Sequence, residues 1–207
     1  MKQDLEKIEN WLKENAQKIL NLSLQKPATE SEINELEKTI GKSLTTDFKE
    51  LYVWHNGLND QENFGSLFYG MDLFPVDRII EEYLYKTEHY AAESIPLEKA
   101  DKEIDPNNMY NNDWVKFASD GSHTGLFIDL APTSQGNYGQ IIFIDDEYET
   151  GILVANSTKE LIEIFKNDLE NNLYQLDEDA LEDGNHYLTA DSKIDIINWE
   201  TSEIWKR

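Results

Sequence analysis

Between Trp114 and Ala155 four short apolar runs follow one another, each closed by turn chemistry, and no other part of the chain reads this way. Trp114 to Ser119 is the first, and Asp120-Gly121 is a turn signal behind it. Leu126-Phe127-Ile128-Asp129-Leu130 is the second, and residues 131–139, with Pro132, Gly136 and Gly139, form a loop. Gln140 to Ile144 is the third. The acidic turn Asp145-Asp146-Glu147-Tyr148-Glu149 leads into Gly151 to Ala155, the fourth. Such a run of strands must bury its apolar side chains against another layer.

Helical patterns supply that layer. Leu5, Ile8, Leu12, Ala16 and Ile19 share a stripe and predict an amphipathic helix over 4–20. Thr29 and Glu32 form a T-x-x-E capping box ahead of Ile33, Leu36 and Ile40, with Gly41 as the C′ residue. A third helix begins near Asp47, buries Phe48, Leu51 and Tyr52, and stops at Asn56-Gly57. Residues 58–74 read as loop. Pro75 opens a helix carrying Val76, Ile79, Ile80, Tyr83 and Leu84, and 91–113 reads as loop again. Ser157 and Glu160 form a second capping box before Leu161, Ile164, Phe165 and Leu169. Helices first, then strands, then a helix is an α+β order. We expect a mainly antiparallel sheet of about four to six strands packed against helices. The expected organisation is one domain over 1–175 with an acidic C-terminal extension, 176–207, packing back on it through Ile194, Ile196, Ile197, Trp199 and Trp205.

Charge narrows the function classes. Among 207 residues, 18 Lys and Arg stand against 42 Asp and Glu, a net of −24. Residues 1–49 carry eight bases and nine acids, so 50–207 hold ten bases and 33 acids, a net of −23. No base falls between Lys116 and Lys159, where six acids lie. This field argues against nucleic acid and anionic membrane as partners and would speed encounter with a basic protein. The opening Met1-Lys2-Gln3-Asp4-Leu5-Glu6 lacks a signal-peptide core, and no apolar run reaches membrane-spanning length, so a cytoplasmic protein is expected.

The sequence carries no recognisable catalytic pattern. Cysteine is absent, which excludes thiolate sites. His55, His89, His123 and His186 show no i, i+4 pair. The Asp105–Asp113 segment has Tyr110 where a calcium loop needs Gly. Gly121-Ser122-His123-Thr124-Gly125 is not a nucleophile elbow, and Gly136-Asn137-Tyr138-Gly139 lacks the Lys and Ser/Thr of a phosphate loop. We therefore expect a binding protein without metal or cofactor, not an enzyme.

Two blocks of sequence carry a family likeness. One is Pro27-Ala28-Thr29-Glu30-Ser31-Glu32-Ile33, with Leu36-Glu37, Ile40-Gly41 and Trp54-His55-Asn56-Gly57 after it. The other is Trp114, Ala118, Asp120, Gly125, Phe127-Ile128-Asp129-Leu130-Ala131-Pro132, Gly136, Gly139-Gln140-Ile141-Ile142 and Ala155-Asn156-Ser157. In order and spacing, residues 27–174 resemble the SUKH superfamily, which includes bacterial immunity proteins and fungal cell-wall assembly regulators. Leu44-Thr45 and Val115-Lys116-Phe117 depart from it by lacking prolines common in the family. The resemblance implies a curved sheet against helices and, in the bacterial branch, neutralisation of a toxin, frequently a nuclease.

The expected function on this basis is stoichiometric occlusion of a basic toxin domain by an acidic surface. Its partner-binding residues would be Asp120, Asp129, Asp145, Asp146, Glu147 and Glu149. Trp54, Gly57, Trp114, Gly125 and Gly139 would be structural. An intracellular scaffold or regulator, as in the fungal branch, is the alternative.

Overall fold

The computed structural model describes residues 1–59 and 63–207. Its centre is an antiparallel ladder of four six-residue strands: β3 (Trp114–Ser119), β4 (Thr124–Asp129), β5 (Gln140–Asp145) and β6 (Thr150–Ala155). Two short strands complete the sheet, in the order β1-β3-β4-β5-β6-β2. β1 (Asp72–Leu73) pairs antiparallel with β3, and β2 (Lys99–Ala100) pairs parallel with β6. Both lie in segments whose sequence reads as loop. Two residues are too few to show a period, so only their neighbours reveal them. Part of the 58–74 loop reading, residues 60–62, lies outside the described residues.

One sheet face is covered by helices. Val115, Phe117, Leu126, Ile128, Phe143, Ile152 and Val154 pack with α1 (Lys2–Asn15), α2 (Glu30–Ile40), α3 (Thr46–Trp54), α4 (Val76–His89) and α5 (Thr158–Glu170) in one apolar cluster. Phe48 on α3 meets Phe117 edge-on, with centroids 5.4 Å apart, a favoured aromatic geometry. The buried Tyr52 hydroxyl donates to Phe74 O at 3.0 Å, so its polar tip is satisfied.

Local chemistry sets the helix ends. The Thr29–Glu32 box closes in both directions, and Gly41 caps α2 in the left-handed region at φ 69°. Ser157 accepts from Glu160 N, but the Glu160 carboxylate turns to Asn156 N at 2.6 Å, one residue before the position of a reciprocal box. The helix expected over 4–20 breaks at Ala16 (φ −142°, ψ 52°) and continues as a π-helical turn, Ile19–Ser23. Ala16 and Ile19 stay buried, so the apolar stripe survives the break.

The chain after α5 also joins this core. β7 (Tyr174–Leu176) pairs with β8 (Leu188–Ala190), and the acidic run between them holds a short helix, α6 (Glu178–Glu182), capped by Asp177. Leu188, Ile194, Ile196, Trp199 and Trp205 are buried in the same cluster as the sheet. Trp199 Nε1 donates to the Asp145 carboxylate at 2.9 Å, and Arg207 pairs with Asp101 at 3.0 Å.

Gly57 marks a tight backbone junction. It adopts φ 68°, and a Cβ there would stand 2.6 Å from Phe74 O. Next to it, Asn56 Oδ1 accepts from Val76 N at 2.9 Å and so caps the start of α4. Gly57→Ala combines backbone strain with a backbone collision and should cost about 3 kcal/mol or more. Gly121 also has positive φ, 82°, but nothing stands within 4 Å of its added Cβ, so Gly121→Ala should cost only about 1 kcal/mol. Urea unfolding of the two variants checks the contrast.

Asp168 on α5 yields a pH expectation. Burial raises its pKa from 3.8 to about 6, near the buried Tyr69 and Tyr174. The native state then holds this proton more tightly than the unfolded chain, so stability is lost as pH rises from about 4 to about 6. Discounted for partial exposure, the cost at pH 7 is about 1–2 kcal/mol. Asp168→Asn should be more stable than the parent at pH 7 by that amount, and the difference should vanish near pH 4 in urea unfolding.

Candidate protein-interaction surface

The second face of the sheet is also apolar. The registers place Lys116, Phe127 and Ile142 side by side in one row, and Gly125 beside Ile144 in the next. Among the described residues no helix layer covers this face. Its cover is the segment 95–113, which buries Leu97, Ile104 and Met109 against Trp114, Ile142 and Ile144. The cover stops short of α4. Between them lies a cleft of about 200 Å³, with Glu82, Tyr83 and Lys86 on α4, Tyr90 just past its end, Tyr110 on the cover, and Lys116, Gly125 and Phe127 as floor.

Lys86 fixes the width of this cleft. Its Nζ donates to Asn111 O at 2.8 Å and Trp114 O at 2.5 Å, tying α4 to the end of the cover. Burial lowers its pKa to about 7, against the pull of nearby Asp113. Tyr90 and Tyr110 stack with centroids 4.2 Å apart and planes 7° from parallel, holding the segment after α4 to the cover.

The floor carries a half-buried amine. Lys116 Nζ lies 5.9 Å from the Phe127 ring centroid, and among the described residues it makes no hydrogen bond or ion pair. Its stem lies over Gly125, where a Cβ would strike it. Burial lowers the Lys116 pKa, and Glu82, Asp146 and Asp120 act against that. At the mouth, His123 Nδ1 stands 2.9 Å from Asp146 Oδ1, and that contact raises the histidine pKa. Among the described residues no group of three or more His, Asp or Glu side chains could hold a metal ion. The cleft thus offers rings, donors and an acidic mouth, which suit binding.

The six acids read from the sequence as partner-binding separate by burial. Asp129 is 0% exposed; it accepts from Ala131 N at 2.9 Å and from Gln140 Nε2 at 2.9 Å. Burial raises its pKa, and those donors together with the nearby Trp114 indole oppose the shift. Asp145 is 3% exposed; it caps the turn through Glu147 N and Tyr148 N and receives Trp199 Nε1. Neither can present a carboxylate to a partner, because each is enclosed and spent on internal donors. Both places are corrected to structural ones. Asp120 is half-buried and accepts from Ser122 N and Thr124 N, shaping the β3–β4 turn. Asp146 and Glu147 are exposed, and Asp146 alone of the six lines the cleft. Glu149 is half-buried with φ 46°, and its carbonyl receives Glu98 N and Lys99 N, which seats β2.

The residues read as structural are placed as follows. Trp54 is half-buried, edge-on to His55 at 4.6 Å, with its indole donating to Glu9. Trp114 is buried under the 95–113 cover and lines the cleft. Gly139 lies against Thr45, where a side chain would collide. Sequence reasoning missed Lys116, Tyr90 and Tyr110. The available signal was Lys116 itself, a lone base before a base-free stretch in an otherwise apolar strand.

Among the described residues no helix is long and apolar enough to cross a membrane. A family profile, SMI1/KNR4 (SUKH-1), matches residues 27–164. The KNR4/SMI1 homolog 2 of Debaryomyces hansenii is 27% identical, over 86% of this chain and 37% of its own length. The cell wall assembly regulator SMI1 of Saccharomyces cerevisiae is 24% identical, over 84% and 41%. The glucan synthesis regulatory protein of Neurospora crassa is 22% identical, over 98% and 45%. The chain therefore spans about two-fifths of the length of these curated relatives.

These relatives correct the expectation of toxin immunity. They are fungal proteins, several of them named as regulators of cell-wall assembly or glucan synthesis, and none of them is named as an immunity protein. Fold alone does not fix function, so the sequence features behind the immunity reading are compatible with a regulator as well. The chain belongs to the SMI1/KNR4 family (SUKH-1).

Proposed function

We propose that this chain is a regulatory module that acts by binding protein, without catalysis, and that the cleft between α4 and residues 95–113 is its docking surface. The observation that carries the reading is the incomplete cover of the second sheet face. Here tyrosine rings and an amine without a hydrogen-bond partner among the described residues line an opening. Aromatic anchors in a partly desolvated pocket are the usual seat of binding energy. The exposed acids Asp146 and Glu147 at and beside the mouth add steering toward a basic partner, which raises association rate more than affinity. The relatives' names, regulators of cell-wall assembly and glucan synthesis, support a role of this kind.

Quantitative co-purification from cells expressing tagged variants tests the proposal. Tyr110→Ala and Lys116→Glu should each reduce recovery of the main partners about 10-fold or more. Val53→Ser, on the exposed face of α3, should leave recovery unchanged. Equal recovery with folded cleft variants, or loss only with the α3 variant, would overturn the assignment.

A further inference from the structure

We infer that the cleft takes a proline-rich, basic segment in the polyproline II conformation. The inference rests on the binding role proposed above and names the chemistry of the partner. Three features of the cleft support it together.

The first is shape. A cleft of about 200 Å³ admits a narrow extended chain with one or two ring-sized side chains. It is too small for an α-helix, which is about 10 Å across. Strand addition does not fit here either, because it needs a sheet edge and the cleft lies over the sheet face, with Lys116, Gly125 and Phe127 as its floor.

The second is hydrogen-bond balance. Lys116 Nζ is a donor without a partner among the described residues, set in a floor of Phe127 and Gly125. A polyproline II segment has no internal hydrogen bonds, so its carbonyls are free to accept. Its prolines bring no N–H that would need an acceptor. An ordinary extended segment would bring N–H groups onto the Phe127 ring and leave them unsatisfied, at a cost. Flat tyrosine rings such as Tyr83, Tyr90 and Tyr110 are the surfaces on which pyrrolidine rings pack in aromatic-lined grooves.

The third is charge. Within the cleft Glu82 and Asp146 balance Lys86 and Lys116, and the acidic surplus lies around it, where Glu81 and Glu88 on α4 and Glu147 on the β5–β6 turn are exposed. With a net charge of −24 on the whole chain, a segment bearing Arg or Lys beside its prolines is complementary, and an acidic one is repelled.

Titration calorimetry of the full chain tests this with three synthetic peptides of about twelve residues, some four turns of polyproline II. One has Pro-x-x-Pro spacing flanked by Arg, one replaces its prolines with Ala, and one replaces its Arg with Glu. The first should bind, and the other two should be weaker by about 10-fold or more, since each loses preorganisation or complementarity. Lys116→Met, Tyr110→Ala and the exposed Asp146→Lys should each weaken the first peptide by about 10-fold. Thermal melts confirm that each variant is folded, and Asp146→Lys keeps the test open if a floor variant is not.

Equal binding of the alanine peptide would overturn the proline element, and equal binding of the glutamate peptide would overturn the basic one. Binding of no peptide would overturn the inference. The binding role would still stand if partner recovery in cells depends on Tyr110, and would fall with it if recovery does not.

Discussion

The ladder of β3 to β6 is apolar on both faces, and that constraint organises the rest of the molecule. A sheet with one wet face needs one cover; this one needs two. Five helices and the chain after α5 supply the first. The second is a single irregular segment, 95–113, held down by a few specific bonds. Lys86 ties α4 to its end through two carbonyls, Glu149 O receives Glu98 N and Lys99 N, and Gln140 bridges Glu103 O to the Asp129 carboxylate. A cover of this kind cannot close over every row. The cleft over Lys116 and Phe127 follows from using a segment where the other face has helices.

The acids illustrate how burial divides one residue type between two jobs. Asp145 and Asp146 are neighbours in sequence at the end of β5. Asp145, the last residue of β5, turns inward to Trp199 and its own turn, and Asp146, the first residue of that turn, stays outside beside His123. Asp129 is enclosed in the same manner as Asp145, with Gln140 Nε2 and Ala131 N as its donors. A surplus of acids along the chain therefore overstates the acidic surface, since some carboxylates serve as internal acceptors for turns and indoles.

Much of the architecture was legible because it rests on local chemistry. The Thr29–Glu32 box, the Gly41 cap, the Asn56-Gly57 stop and the four strands each depend on residues within a few positions of one another. The two edge strands were hidden because only pairing with β3 and β6 makes them strands. The acidic run after Asp177 showed no apolar period, yet it forms a capped helix between β7 and β8, held by the hairpin around it. The cleft was hidden for the same reason. Tyr83, Tyr110 and Lys116 come from a helix, a loop and a strand, and only the tertiary fold brings them together. The branch of function was illegible on different grounds, because the fold is shared and the acidic charge suits regulators and inhibitors alike.

Site-specific photo-cross-linking tests the central claim most directly. A photoreactive phenylalanine analogue would be placed at Tyr110 in the cleft, at Tyr148 on the exposed acidic turn, and at Val53 on α3. If the uncovered part of the second sheet face is where partners dock, position 110 should give discrete cross-linked products in cells, and positions 148 and 53 should not. Products from position 148 or 53 alone would contradict the claim and move the binding surface to the acidic turn or to the outer helix face.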